Sequence, residues 1–115
     1  MFGRVLVIDD SEMARRVWIR WGQANGHDIA ALDPLPRVEP GRVPPEVDTL
    51  VVGFRLGPGT SEALVRTLRA ERPALRIVVY SGAFPTAHAA LATVVPVVAK
   101  PALPLDVLRA ARPAK

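Results

Sequence analysis

The stretch Arg4–Ser11 reads RVLVIDDS and contains the signals from which the fold can be predicted. The apolar run Val5–Ile8 indicates a strand that is buried on both faces, as in a parallel sheet covered by helices. The acidic pair Asp9-Asp10 follows this run, and Asp10 or Ser11 is a suitable N-cap for a helix. The stretch therefore predicts a strand, a turn and a helix, with two carboxylates at the carboxyl end of the strand.

The helix after this strand is predicted over Ser11–Asn25, and Gly26 is its expected stop. Its apolar residues recur with helical spacing, which predicts one stripe that faces the core. The residues of this stripe are Met13, Val17, Trp21 and Ala24, with Ala14 and Trp18 beside them. The residues expected on the opposite, solvated face are Arg15, Arg16, Arg20 and Gln23.

Four further apolar runs predict the other strands. They are Ile29–Leu32, Thr49–Phe54, Arg76–Tyr80 and Val94–Ala99. A second amphipathic helix is expected from Thr60 or Ser61 to Pro73, and shorter helices at Ala87–Ala92 and Leu105–Ala111. Proline interrupts the helical backbone, so the proline-rich stretch Pro34–Pro45 is expected to be a loop.

The alternation of buried strands with amphipathic helices predicts an α/β fold built on one sheet. We expect a single domain, residues 1–115, with a doubly wound parallel five-stranded sheet. The natural strand order is the flavodoxin-like 2-1-3-4-5, because right-handed crossovers leave few alternatives. The second helix is expected to be shortened or missing, and the fourth helix to be short.

Composition excludes several classes of protein. The 115 residues contain no cysteine, which excludes disulfides, thiolate metal sites and cysteine nucleophiles. The net charge is +4, but the basic residues are spread along the chain and form no clustered patch, so the charge pattern does not favour nucleic-acid binding. No apolar stretch reaches the roughly 20 residues that a membrane span needs. We expect a cytoplasmic protein without a membrane segment.

Four segments, taken in order, resemble the receiver domain of bacterial response regulators over essentially the whole chain. They read VLVIDDS, VDTLVVGFRLGPGTSEALVRTLRAERP, IVVYSGA and AKP. The resemblance implies that Asp9 and Asp10 match the acidic pair that helps bind magnesium. It also implies that Ser81 matches the hydroxyl, and Lys100-Pro101 the lysine–proline pair, that accompany the phosphoryl group. The Lys100–Pro101 peptide would then be cis, whereas an X–Pro bond is trans by default.

The chain departs from the family at the position that receives the phosphoryl group. There the resemblance places Gly53, and glycine has no nucleophile. The neighbours Val52 and Phe54 are apolar, and Arg55 has the wrong charge. The family's switch aromatic is Val97 here. The resemblance therefore indicates a degenerate receiver, or pseudo-receiver, that is not an enzyme.

Without a phosphoaspartate, we expect Lys100 to form an ion pair with Asp9 or Asp10, since a carboxylate beside a buried strand needs a partner. No cofactor is required on this interpretation, although Asp9 and Asp10 could hold magnesium weakly. Ser81 is expected to be an inert hydroxyl at the end of a strand. His27 and His88 have no companion at metal-site spacing.

The predicted function is phosphorylation-independent contact with a protein partner or with a second copy. In the family, the fourth helix, fifth strand and fifth helix commonly form such a face. The residues expected there are Leu91, Val95, Leu105 and Leu108, or their exposed neighbours. Two alternatives remain open. One is a small-anion or nucleotide sensor that uses the crevice beside Gly53, Ser81 and Lys100. The other is a conditional phosphoacceptor that uses Asp9 or Asp10.

Overall fold

The structure is a computed structural model that describes residues 2–34, 38–56, 59–82 and 85–114. Its main sheet has five parallel strands, β1 (Arg4–Ile8), β2 (Asp28–Leu32), β3 (Thr49–Val52), β6 (Arg76–Ser81) and β7 (Val97–Ala99). A small antiparallel hairpin of β4 (Arg55–Leu56) and β5 (Gly59–Thr60) lies outside this sheet. The order in the main sheet is β2-β1-β3-β6-β7, which confirms the predicted 2-1-3-4-5 arrangement of the five parallel strands.

Three α-helices in the described part of the chain cover the two faces of the sheet. They are α1 (Glu12–Asn25), α2 (Glu62–Glu71) and α3 (Pro104–Ala110). The predicted ends of α1 are confirmed, because the Ser11 hydroxyl accepts a hydrogen bond from the Ala14 N–H at 3.2 Å and Gly26 has a φ of 73°. Ser61 occupies the cap position of α2, but its hydroxyl makes no cap hydrogen bond. No helix in the described ranges is long and apolar enough to cross a membrane.

Short 3-10 turns lie at the positions of the second and fourth helices that the resemblance to receiver domains implies. The predicted helix at Ala87–Ala92 is replaced by turns at Pro85–His88 and Leu91–Thr93. In the proline-rich loop, the described residues contain one such turn, at Pro40–Arg42. Residues 35–37 of this loop lie outside the described part of the chain. The shortened connections leave α2 as the one helix on its face of the sheet among the described residues.

Alternate strand residues divide the core into two layers. Leu6, Ile8, Leu50 and Val52 join α2 and the residues near Leu91 in one cluster, while Val5, Val7 and Val51 join α1 and α3 in the other. The strands β1 and β3 are thus buried on both sides, as their continuous apolar sequences predict.

The predicted core stripe of α1 is right for Trp18 and Trp21, which pack in the core, and wrong for Met13, Val17 and Ala24. Met13 is 75% exposed and Val17 is 54% exposed, whereas the buried residues of the helix are Trp18 and Gly22. The helix turns this way because Gly22 allows close contact with β2, where a Cβ would lie 2.9 Å from side-chain carbons of Ile29. Trp21 is half-buried and Ala24 is exposed. One side of α1 therefore presents apolar residues to solvent.

Two arginines, one in α2 and one directly after it, donate hydrogen bonds to backbone carbonyls of neighbouring loops. Arg72 donates hydrogen bonds to the carbonyls of Val43 and Val47 at 3.0 Å and of Pro45 at 3.3 Å. Arg69 donates to the carbonyls of Leu75 at 3.0 Å and of Arg112 at 2.9 Å. Burial lowers the pKa of the Arg69 guanidinium below its usual value.

The C-terminal residues extend the sheet beside β6. Because β7 begins at Val97 and pairs from Val79 onward, the first residues of β6 lack a parallel neighbour on that side. Arg112 pairs there with Ile77 in an isolated antiparallel bridge. The Ile77 N–H donates to the Arg112 carbonyl at 3.0 Å, and the Ala114 N–H donates to the Pro73 carbonyl at 2.8 Å.

Candidate functional site

The candidate site lies at the carboxyl ends of β1 and β3, where the strand order reverses. Ile8 pairs with Val52, so the residues that follow them, Asp9 and Gly53, emerge side by side. The Gly53 N–H donates to the Ile8 carbonyl at 3.0 Å, which continues the strand pairing to the edge of the sheet. Ligands of open parallel sheets bind in this kind of crevice.

Asp9 is held by three contacts that the chain itself supplies. Its Oδ2 accepts a hydrogen bond from Lys100 Nζ at 3.0 Å, and its Oδ1 accepts one from the Ser11 N–H at 2.9 Å. Arg15 donates to the Asp9 backbone carbonyl at 2.8 Å. The Asp9 side chain is 5% exposed and that of Lys100 is 34% exposed. The predicted ion pair of Lys100 is confirmed, with Asp9 as the partner.

Tyr80 positions the segment that carries Lys100. Lys100 Nζ lies 5.2 Å from the centroid of the Tyr80 ring, within the range of a cation–π contact. The Tyr80 hydroxyl donates to the Ala102 carbonyl at 3.1 Å and accepts from the Ala102 N–H at 3.0 Å. The Lys100–Pro101 peptide between these contacts is cis, as the resemblance implies. Sequence reasoning missed Tyr80, although its place directly before Ser81 at the end of a strand was a usable signal.

The crevice has a volume of about 350 Å³ and brings together most of the residues predicted for the site. It is lined by Asp9, Asp10, Gly53, Phe54, Arg55, Tyr80, Ser81, Gly82 and Lys100. Asp10 lies exposed at the crevice, and no described residue forms an ion pair with it. Val97 is half-buried and packs against the core, so it lies outside this lining. Pro101 is exposed next to Lys100.

Arg55 adds a second cation that the sequence did not assign to the site. Its guanidinium carbon lies 5.9 Å from the centroid of the Phe54 ring, and Phe54 in turn meets His88 edge to face at 5.6 Å. Two cationic and two anionic side chains therefore line one open crevice, and its formal charges balance.

Neither the backbone nor the available space requires glycine at position 53. The glycines with a positive φ in the described residues are Gly3 and Gly26. A Cβ at Gly53 would meet the Arg55 carbonyl oxygen and Leu56 Cδ2 at 3.7 Å, which is ordinary van der Waals contact. A side chain of the size of aspartate can therefore begin at this position without displacing its neighbours.

The described residues do not fit a resident divalent cation in their present arrangement. Both carboxylate oxygens of Asp9 already accept hydrogen bonds from protein donors. No group of three or more histidine, cysteine or acidic side chains within the described ranges could hold a metal ion. Of the two aspartates, Asp10 offers a carboxylate that no described side chain holds, and weak magnesium binding at Asp9 and Asp10 stays a prediction.

We expect Lys100→Met to destabilise the domain by about 1–2 kcal/mol, because it leaves a carboxylate oxygen of buried Asp9 without its donor. Arg16→Met is the matched control, since Arg16 forms an exposed pair with Glu12 at 2.7 Å, and such pairs contribute about 0.5 kcal/mol or less. Urea unfolding measures both free energies of unfolding. Equal losses in the two variants would show that the pair with Asp9 contributes no more than a surface contact.

No protein-family model matches the chain, and no curated protein matches it. Solved structures do match. A response regulator receiver protein from Pseudomonas putida is 26% identical, with a TM-score of 0.74 over 95% of this chain and 94% of that one. The chemotaxis response regulator CheY4 of Vibrio cholerae is 16% identical, with a TM-score of 0.72 over 95% of each chain.

A response regulator protein from Burkholderia pseudomallei gives a TM-score of 0.81 at 24% identity. The match covers 96% of this chain and 66% of the Burkholderia chain. The Burkholderia structure contains a phosphorylated aspartic acid, a calcium ion and citrate. These similarities establish that the described residues adopt the receiver fold.

Proposed function

Because the chain has the receiver fold, which is that of two-component signalling modules, we propose that it signals by protein contact and without phosphorylation. The observation that carries this proposal is the presence of glycine, Gly53, at the end of β3. This residue follows β3 at the edge of the crevice, in the position where the family resemblance requires a phosphoacceptor aspartate. A phosphoryl group needs a nucleophile to which it can be transferred, and Gly53 has no side chain.

The ion pair of Lys100 supports the same proposal. The ammonium group that the resemblance assigns to a phosphoryl group lies 3.0 Å from Asp9 Oδ2. A buried carboxylate that is paired in this way holds its lysine in place without any ligand. Asp9 and Lys100 thus satisfy each other's charge inside the open crevice, which favours a structural role for this pair.

The region that would relay a phosphorylation signal is also reduced. Val97 replaces the switch aromatic that the resemblance assigns to β7, and its half-buried side chain packs against the core. The fourth helix is represented by the two 3-10 turns around Leu91. We therefore propose that this cytoplasmic module is not an enzyme and does not need a cofactor.

The contact face needs a correction at the level of residues. Of the four residues expected on it, Leu91, Val95 and Leu108 are buried in the core and are not available to a partner. Leu105 is half-buried, and its neighbour Leu103 is 69% exposed. A partner that contacts this side would therefore meet Leu103 and Leu105 rather than the other three.

An amide NMR titration with magnesium, followed by beryllofluoride, tests the proposal. Beryllofluoride mimics an aspartyl phosphate, so we expect the amides of Gly53, Ser81 and Lys100 to stay unshifted under both additions. A shift of Asp9 and Asp10 with magnesium alone would reveal weak metal binding without signalling chemistry. A beryllofluoride shift that extends from Ser81 and Lys100 to the turns around Leu91 would refute phosphorylation independence.

A small-anion sensor is the second candidate, and Arg55 favours it. Arg55 and Lys100 line one crevice, where Gly53 leaves space beside them. A ligand that binds the folded state alone raises the melting temperature in a concentration-dependent way. A panel of phosphate, sulfate and nucleotides therefore separates the two functions, because an inert pocket gives no such rise. A conditional phosphoacceptor at Asp10 would instead appear as a phosphoryl adduct in mass spectra after incubation with acetyl phosphate.

A further inference from the structure

The side of α1 that faces away from the sheet carries an exposed apolar and charged stripe. Its members are Met13, Val17, Arg20 and Ala24, all exposed and all opposite the buried Trp18 and Gly22. The large apolar side chains exposed in the described ranges are Met13, Val17 and Leu103. Two of the three therefore lie on one helix face, four residues apart, which is the spacing of a helix–helix contact.

The stripe continues into a groove between α1 and the segment before α3. This groove has a volume of about 310 Å³. Met13, Val17 and Trp18 line it on the α1 side, while Tyr80, Ala102 and Pro104 line the other side. Its mostly apolar walls offer a place for an apolar side chain next to Val17.

The charges along α1 are self-complementary when a second helix runs antiparallel. The acidic residues Asp10 and Glu12 lie at or just before the N-terminal end of the helix, and Arg16 and Arg20 lie farther along its exposed side. Arg16 pairs with Glu12 of the same helix, which leaves Asp10 and Arg20 for contacts with a second copy. Asp10 and Arg20 are equally distant in sequence from Arg15, and so are Met13 and Val17. A two-fold axis across α1 near Arg15 would place Met13 of each copy on Val17 of the other. The same axis would place Arg20 of each copy beside the acidic end of the other.

We propose that α1 is the contact of a symmetric antiparallel homodimer, in which Met13 of each copy enters the groove beside Val17 of the other. A two-fold dimer requires one patch that is complementary to itself, and the sequence of charges and apolar residues along α1 meets that requirement. The inference deepens the proposed function and rests on it, because it names a second copy as the protein that is contacted.

The size of the contact sets its expected strength. A helix of 14 residues spans about 21 Å. A contact built mainly on α1 therefore belongs to the small class of interfaces, below roughly 1,200 Å² in total, whose association is weak. We expect a reversible equilibrium between monomer and dimer that depends on protein concentration.

Sedimentation velocity over a range of concentrations, from micromolar to millimolar, measures this equilibrium. We expect Val17→Glu and Arg20→Glu each to weaken self-association at least tenfold, because each places a carboxylate against the partner helix. Ala70→Glu is the matched control, since it adds the same group at an exposed position of α2 and should leave self-association unchanged. A monomer at every concentration, or equal dissociation constants for Val17→Glu and Ala70→Glu, would overturn the inference.

Cross-linking tests the antiparallel arrangement separately, because the chain contains no cysteine of its own. We expect a mixture of Met13→Cys and Val17→Cys chains to form disulfides faster than either variant alone. Faster pairing of Met13→Cys with itself would indicate parallel helices and would refute the proposed axis. Capture of a different protein by α1, with no self-association, would refute the choice of partner.

Failure of the homodimer and failure of the proposed function give different experimental results. A monomeric chain that gives no beryllofluoride response would remove the homodimer and leave phosphorylation-independent contact standing. A beryllofluoride response would refute phosphorylation independence, whatever the oligomeric state.

Discussion

Gly53→Asp is expected to give this domain a beryllofluoride response, which we do not expect of the natural chain. The new carboxylate would start from a Cβ whose nearest neighbours lie at 3.7 Å, an ordinary van der Waals distance, and it would enter a crevice lined by Asp9, Asp10 and Lys100. Three carboxylates in one crevice repel one another, so the variant should be less stable than the natural domain in the absence of a divalent cation. Magnesium should reverse that loss.

The expected gain from the cation is large enough to measure by thermal or urea unfolding. A ligand present at about a hundred times its dissociation constant stabilises the folded state by about 2.7 kcal/mol. Gly53→Asn is the matched control, because its side chain has nearly the same shape and no charge. If the aspartate variant responds to neither magnesium nor beryllofluoride, restoring a nucleophile at position 53 is not sufficient for a response, and other residues of the crevice must also differ from a working acceptor site.

Arg72→Ala is expected to lower the free energy of unfolding by about 2–4 kcal/mol. The guanidinium donates to three backbone carbonyls of the proline-rich loop, those of Val43, Pro45 and Val47. Hydrogen bonds from a charged donor contribute about 1.5–3 kcal/mol, and carbonyls left without a donor add a further cost. The residues at both ends of this set, Val43 and Val47, are themselves buried, so water cannot fully replace the lost donor.

Arg66→Ala provides the control on α2, the helix that ends directly before Arg72. Arg66 forms an exposed pair with Glu62 at 2.9 Å, and its loss should cost about 0.5 kcal/mol. Arg72→Lys is informative as well, because an ammonium group lacks the planar fork that reaches several carbonyls at once. If Arg72→Ala unfolds at the same urea concentration as Arg66→Ala, the loop is held by packing rather than by the guanidinium.

The strands and the polar residues at their ends were the predictable part of this fold. A continuous apolar run such as Val5–Ile8 has few stable environments other than a sheet covered on both faces. Once the strand order is known, residues at the carboxyl ends must meet at one edge, which brings Asp9 and Lys100 together across 91 positions of sequence. The ion pair could be predicted because a buried carboxylate requires a donor.

The orientation of α1 was not predictable from periodicity alone. Helical spacing fixes the repeat of apolar residues, but it does not say which of two apolar stripes faces inward. The stripe of Met13 and Val17 competes with that of Trp18 and Gly22, and the close approach of Gly22 to Ile29 decides between them. That approach depends on the position of β2, which local sequence does not specify.

The role of Arg72 was equally hidden, for a different reason. Its hydrogen-bond acceptors are backbone carbonyls 25 to 29 residues away, and a carbonyl has the same chemistry whichever residue carries it. No pattern of side chains could therefore reveal them. An arginine without a matching carboxylate at helical spacing was the one available hint.

The bridge between Arg112 and Ile77 has a consequence for aggregation. An open strand edge offers a row of unpaired N–H and carbonyl groups on which other chains can assemble. Residues 111–114 cover that edge where β7 is too short to reach, and Arg69 fixes the covering segment through the Arg112 carbonyl. A chain that lacks these residues would expose the start of β6, and its solubility would then depend on protein concentration and on chaperones.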